Sequence, residues 1–124
     1  VVLYFAKVFM RMGKNMAAKS NDRVIVTAQL MFLVERLRRI QGYKVVREYA
    51  DGRGGAILEL SHGINILSWG EDIKIDLYPC SEQQTVVEIV SECAMPTQII
   101  DWGRNSTNIK EIMTYLLNGL VVQR

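Results

Sequence analysis

The sequence predicts an α+β domain in the order β-α-β-β-β-β-α, with a curved antiparallel sheet packed against a C-terminal helix. Three observations lead there. Val26, Leu30, Leu33, Leu37 and Ile40 recur at helical spacing, and after Gly42 the apolar residues switch to every second position. "DGRGG" at 51–55 and "CSEQQ" at 80–84 divide that second stretch into hairpins. Ile109, Ile112, Met113, Leu116 and Leu117 then form the i, i+3, i+4, i+7, i+8 stripe of a closing amphipathic helix.

Length and composition set the frame for these elements. The chain has 124 residues, enough for one domain spanning 1–124 with a core that needs no staples. It is 49% hydrophobic and 23% charged, the balance of an ordinary folded protein. Neither repeats nor a Pro/Ser-rich linker divide it. Cys80 and Cys93 are too few for a disulfide framework and lack metal-ligand spacing. A single histidine, His62, excludes a His-rich zinc site and a two-histidine relay. No segment reaches the ~20 apolar residues of a membrane span, and "VVLYFAKVFM" lacks the flanks of a signal peptide. The expected location is cytoplasmic, with no cofactor and no metal.

Taken in order, residues 1–12 admit two readings. Val2, Tyr4, Ala6, Val8 and Met10 alternate as in a strand, while Lys7, Arg11 and Lys14 are spaced as the polar stripe of a helix. Aromatic and β-branched content favours the strand. "GKNMAAKSND" reads as a polar connection, and Ser20 or Asn21 as the cap of a helix reaching about Gln41. "YKVVREYA" and "AILELS" are the arms of a hairpin. "INILSWGEDIKIDLYP" is a long strand bent or bulged at Gly70. "TVVEIVSEC" returns antiparallel to it, with Ile75, Leu77, Val87 and Ile89 inward and Lys74, Asp76, Glu88 and Glu92 outward. That register puts Cys80 at the turn and Cys93 at the far end, on the order of 30 Å apart, so no disulfide joins them.

"PTQIIDWGRN", Pro96 to Asn105, reads first as a joint between strand and helix. Pro96 ends the strand, Gly103 permits a tight turn, Trp102 plugs the gap and Asp101 accepts from backbone near the helix start. Asn105 or Asn108 caps the helix, Asn108 forming a capping-box-like pair with Glu111. The same neighbourhood supplies a set of ligand contacts: Trp69, Gln98, Asp101, Trp102 and Arg104.

"SWGEDIKID" at 68–76, followed by "SECAMPTQIIDWGRN" at 91–105 and an amphipathic helix, resembles a pattern in small prokaryotic domains of unknown function. The resemblance covers roughly residues 43–118 and brings no activity with it. The element order resembles the TATA-binding-protein-like fold group, which includes helix-grip ligand carriers. That resemblance implies a curved sheet gripping the C-terminal helix; at fold level it is a weak warrant for function.

Enzyme motifs are missing. "ADGRGGAI" lies between strands and lacks the GK[ST] of a phosphate loop, and His62 in "SHGIN" has no nucleophile motif beside it. Asp72, Asp76, Glu88 and Glu92 read as solvated strand-face acids before they read as a hard-cation site. The expectation is a non-enzymatic binding or interaction module with an apolar cleft between sheet and C-terminal helix. Its partner would be a small apolar ligand or another protein, and an exposed strand edge would also admit a homodimer. The alternative uses the basic N-terminal half. Residues 1–47 hold ten Lys/Arg and two acids, residues 48–124 five and eleven. Arg36, Arg38, Arg39, Lys44 and Arg47 would then meet phosphates of nucleic acid or lipid, although no nucleic-acid motif accompanies them.

Overall fold

Val24 to Thr27 is an unbroken run of β-branched residues, stiff at χ1 and suited to a pleated surface. In the computed structural model, which describes residues 19–62, 70–93 and 103–124, this run ends the first strand, β1 (Lys19–Val26). Val24 and Val26 are buried on one face of it. A helix therefore does not begin at Ser20 or Asn21. It begins at Leu30, as α1 (Leu30–Arg38), with Leu33, Val34 and Leu37 inward. Val26 shares the helical spacing of that stripe but reaches the core from a strand. The strand expected within residues 1–12 lies outside the described residues.

The rest follows as β2 (Lys44–Ala50), β3 (Ala56–His62), β4 (Glu71–Pro79), β5 (Thr85–Cys93), α2 (Arg104–Leu116) and β6 (Val122–Gln123). The strands form one antiparallel sheet in the order β2-β3-β4-β5-β1-β6. The fold class is α+β, as expected, with a short sixth strand added. β6 meets only Ile25 and Val26 of β1. The two hairpins form where glycine and polar residues mark them, β4 and β5 pairing from Glu71↔Cys93 to Pro79↔Thr85. Cys80 is exposed beside that turn and Cys93 stands at the opposite end of the pair.

Both helices lie on one face of the sheet. Leu58, Leu60, Ile73, Ile75, Leu77, Val87 and Ile89 alternate inward along β3, β4 and β5. Leu33, Val34 and Leu37 of α1 and Ile109, Ile112, Met113 and Leu116 of α2 complete one continuous core. Arg36 of α1 ties the helices together, donating from Nη1 to the backbone oxygens of Leu116 at 3.0 Å and Asn118 at 2.8 Å. Those carbonyls at the end of α2 have no intrahelical donor, so a cation there serves as a cap. Among the described residues no helix is long and apolar enough to cross a membrane.

The outer face carries the charge pattern. Asp76 stands directly opposite Glu88, and Asp72 opposite Glu92, so like charges face each other across β4 and β5. Glu88 is relieved by neighbours: the Tyr78 hydroxyl donates to it at 2.8 Å and Arg23 Nε at 3.1 Å, holding its carboxyl below the usual range. Asp76 is not. Its Oδ1 is buried without a hydrogen-bond partner, Arg53 stays 3.5 Å from Oδ2, and burial pushes the carboxyl above the usual range. The folded protein thus holds this proton more tightly than the unfolded chain. The stabilisation is complete below the usual carboxylate range and is lost as pH rises through the raised value. Asp76→Asn is expected to melt close to wild type at about pH 3 and above it at about pH 7, where only wild type carries the charge. Thermal melts across that range check it; a variant less stable at neutral pH would show that Arg53 outweighs desolvation.

Candidate functional site

The inward phase of each central strand ends in a polar residue. His62 continues Leu58 and Leu60, Glu71 begins the series Ile73, Ile75 and Leu77, and Cys93 follows Val87, Ile89 and Ser91. Register sets His62 beside Glu71 and Glu71 beside Cys93, forming one polar row at the end of the core. The first turns of α2 cover that row.

Gly103 precedes α2 with φ +81°, a left-handed conformation that a side chain would strain, and it takes the N-cap position. The helix therefore starts before Asn105 and Asn108. Neither residue caps it. Their relative exposures are 0% and 1%, because they occupy the same buried stripe as Ile109, Ile112, Met113 and Leu116. Glu111 is not a capping-box partner either; its Oε2 accepts from the Tyr43 hydroxyl at 2.6 Å.

Glu71 lies at the centre, its side chain 0% exposed. Its Oε1 accepts from Asn108 Nδ2 at 2.9 Å and from Arg104 Nε at 3.2 Å. Asn108 Nδ2 is also 3.4 Å from Ser91 Oγ, which donates to Asn105 Oδ1 at 2.7 Å, while Asn105 Nδ2 approaches Cys93 Sγ at 3.7 Å. His62 Nδ1 is 3.5 Å from Glu71 Oε1, buried and without a full hydrogen bond. The Tyr43 ring packs 4.7 Å from the imidazole, and burial followed by the bond to Glu111 pushes the phenol above its ordinary range. A buried carboxylate is costly unless paired and hydrogen-bonded, and here the helix start supplies both the cation and the amide.

In front of this pair is a recess of about 190 Å³ lined by His62, Arg104, Thr107 and Asn108. Arg104 is the one residue of the expected ligand set that the structure describes, and it lines the recess. Trp69, Gln98, Asp101 and Trp102 lie outside the described residues. Sequence reasoning passed over Glu71 and Ser91 and took Asn105 and Asn108 for helix caps. The signal was available: each sits in phase with buried apolar neighbours, and polar residues in phase with a core imply buried partners.

Most of the basic residues expected as a phosphate-binding face have acidic or carbonyl partners. Arg36 caps α2, and Arg38 forms ion pairs with Glu35 and with Glu48, the latter through both carboxylate oxygens. Arg47 pairs with Glu59 at 2.6 Å on the outer sheet face. Arg39, 79% exposed, is 3.9 Å from Glu35, and Lys44 is exposed on β2. Among the described residues no group of three or more His, Cys, Asp or Glu is arranged to hold a metal ion.

Fold and site together define a sheet-and-helix α+β domain with a buried charged cluster at one end of its core. No protein-family model and no curated protein matches the chain, so the motif resemblance to small prokaryotic domains finds no counterpart there. Among solved structures it is similar to a START superfamily protein from Mycobacterium smegmatis, at 11% identity over 82% of this chain and 94% of that one, with a TM-score of 0.47. It is also similar to Ara h 8.0201, at 8% identity over 79% and 93%, with a TM-score of 0.41. Likeness this loose assigns no family; the fold class rests on the chain's own strand order and register.

Proposed function

We propose that the chain is a non-enzymatic binding module that takes a small ligand at the start of α2. One observation carries this reading. Arg104, Asn108 and His62 converge on a recess while the carboxylate that holds them, Glu71, is sealed behind them. A few fixed polar groups converging on a recess are what orients a ligand in a small-molecule site. Ile109, Ile112, Met113 and Leu116 fill the interior between sheet and α2.

A nucleic acid or anionic lipid has less support, since Arg36, Arg38 and Arg47 already have acidic or carbonyl partners. Amide NMR titration with small amphiphiles and short nucleic acids, at low and high salt, separates the readings. Salt-insensitive shifts clustered at His62, Arg104, Thr107 and Asn108 are the expected result. Shifts confined to α1 and β2 that vanish with salt would overturn it in favour of phosphate contacts.

A further inference from the structure

We infer that the recess recognises the carboxyl group of a small monocarboxylic acid, and that binding its carboxylate form takes one proton from solution; this rests on the recess being the ligand site. The ligand meets donors there, not the buried carboxylate. Arg104 uses Nε on Glu71, and among the described residues no acceptor takes its two terminal nitrogens. Its side chain is 24% exposed at the recess. A guanidinium edge is a planar fork that matches a carboxylate.

His62 sets the proton count. Its Nδ1 faces Glu71 Oε1 at 3.5 Å, where a bare lone pair would repel the carboxylate oxygen, so Nδ1 carries the hydrogen. Nε2 is the nitrogen left for a ligand, since Nδ1 is buried while the side chain is 32% exposed. Neutral, Nε2 offers only a lone pair. It accepts the acid proton of a carboxylic acid, and the same complex can be written as a carboxylate on an imidazolium. Both forms contain one proton more than free carboxylate plus neutral imidazole. Among the described residues, the groups around this imidazole are Tyr43 before β2, Glu71 on β4 with Cys93 beside it on β5, and Arg104 on α2, with Glu111 on the Tyr43 hydroxyl.

Charge and size narrow the ligand further. Arg104 and Glu71 cancel, so a monoanion arriving with a proton leaves the recess neutral, whereas a dianionic phosphate would leave charge uncompensated in a half-buried site. With about 30 Å³ per water in the liquid, a recess of about 190 Å³ has the volume of about six waters. A short-chain acid fits that volume.

The test uses hexanoate and its neutral isostere hexanamide with the intact chain at about pH 8, where a free carboxylic acid is ionised. Calorimetry in two buffers of different ionisation enthalpy counts protons, and amide NMR locates each ligand. Hexanoate is expected to bind at the recess with uptake of about one proton and at least about tenfold more tightly than hexanamide, a difference of about 1.4 kcal/mol. His62→Gln is expected to bind hexanoate without proton uptake. If the amide binds as tightly, or if wild-type heats are independent of buffer, the inference is overturned while the ligand site stands. If neither compound perturbs the recess, the site reading fails and takes the inference with it.

Discussion

Replacing Arg104 with alanine is expected to destabilise the fold by about 3–5 kcal/mol, because it removes a paired cation from a buried carboxylate. Glu71 cannot escape to water, since it sits inside the row between His62 and Cys93 with α2 above it. Urea unfolding of wild type, Arg104→Ala, Glu71→Gln and the double variant measures the effect. The double variant should lose less than the sum of the singles, since removing the charge relieves the demand for its partner. A loss below about 1 kcal/mol for Arg104→Ala would put the pair in the class of surface ion pairs and remove the support for a pre-built site.

Ile112→Ala is expected to cost about 2–5 kcal/mol, the usual penalty for emptying a packed aliphatic site. Ile112 is 0% exposed, midway along the buried stripe of α2, and belongs to the common core of sheet and helices. The urea midpoint should fall with little change in slope. Thr114→Ala, one residue beyond Met113 on the exposed side, should stay within about 0.5 kcal/mol. Equal effects from the two would mean that α2 is not anchored by its apolar stripe.

The hairpins and α2 were legible because their signals are local. Alternation from Ile73 to Leu77 and from Val87 to Ile89 specifies which side chains point inward, and short polar turns specify pairing. β1 was not legible as such. Val26 suits a helical stripe by spacing and a strand by branching, and what decides is Ile25 and Val26 pairing with β5 far along the chain. The site failed for a related reason. Asn108 with Glu111 suits a capping motif locally, yet Gly103 starts α2 a turn earlier and carries both asparagines into the interior. Buried polar networks are where local preference yields to tertiary context, since each member depends on partners from other elements.

The strand order also bears on how the chain assembles. β2, β3, β4 and β5 are neighbours both in sequence and in space, so this meander can zip as each arm is made. β1 is different: it is made before all of them and finds its place only beside β5, the nearest pair being Val26 with Thr85 and the most distant Lys19 with Glu92. Closing that long loop is entropically unfavourable until β5 exists to receive it. During synthesis β1, the earliest of the described strands, therefore waits for β5 with Val24 and Val26 uncovered. Until β5 is made, β1 lacks the long strand partner it has among the described residues.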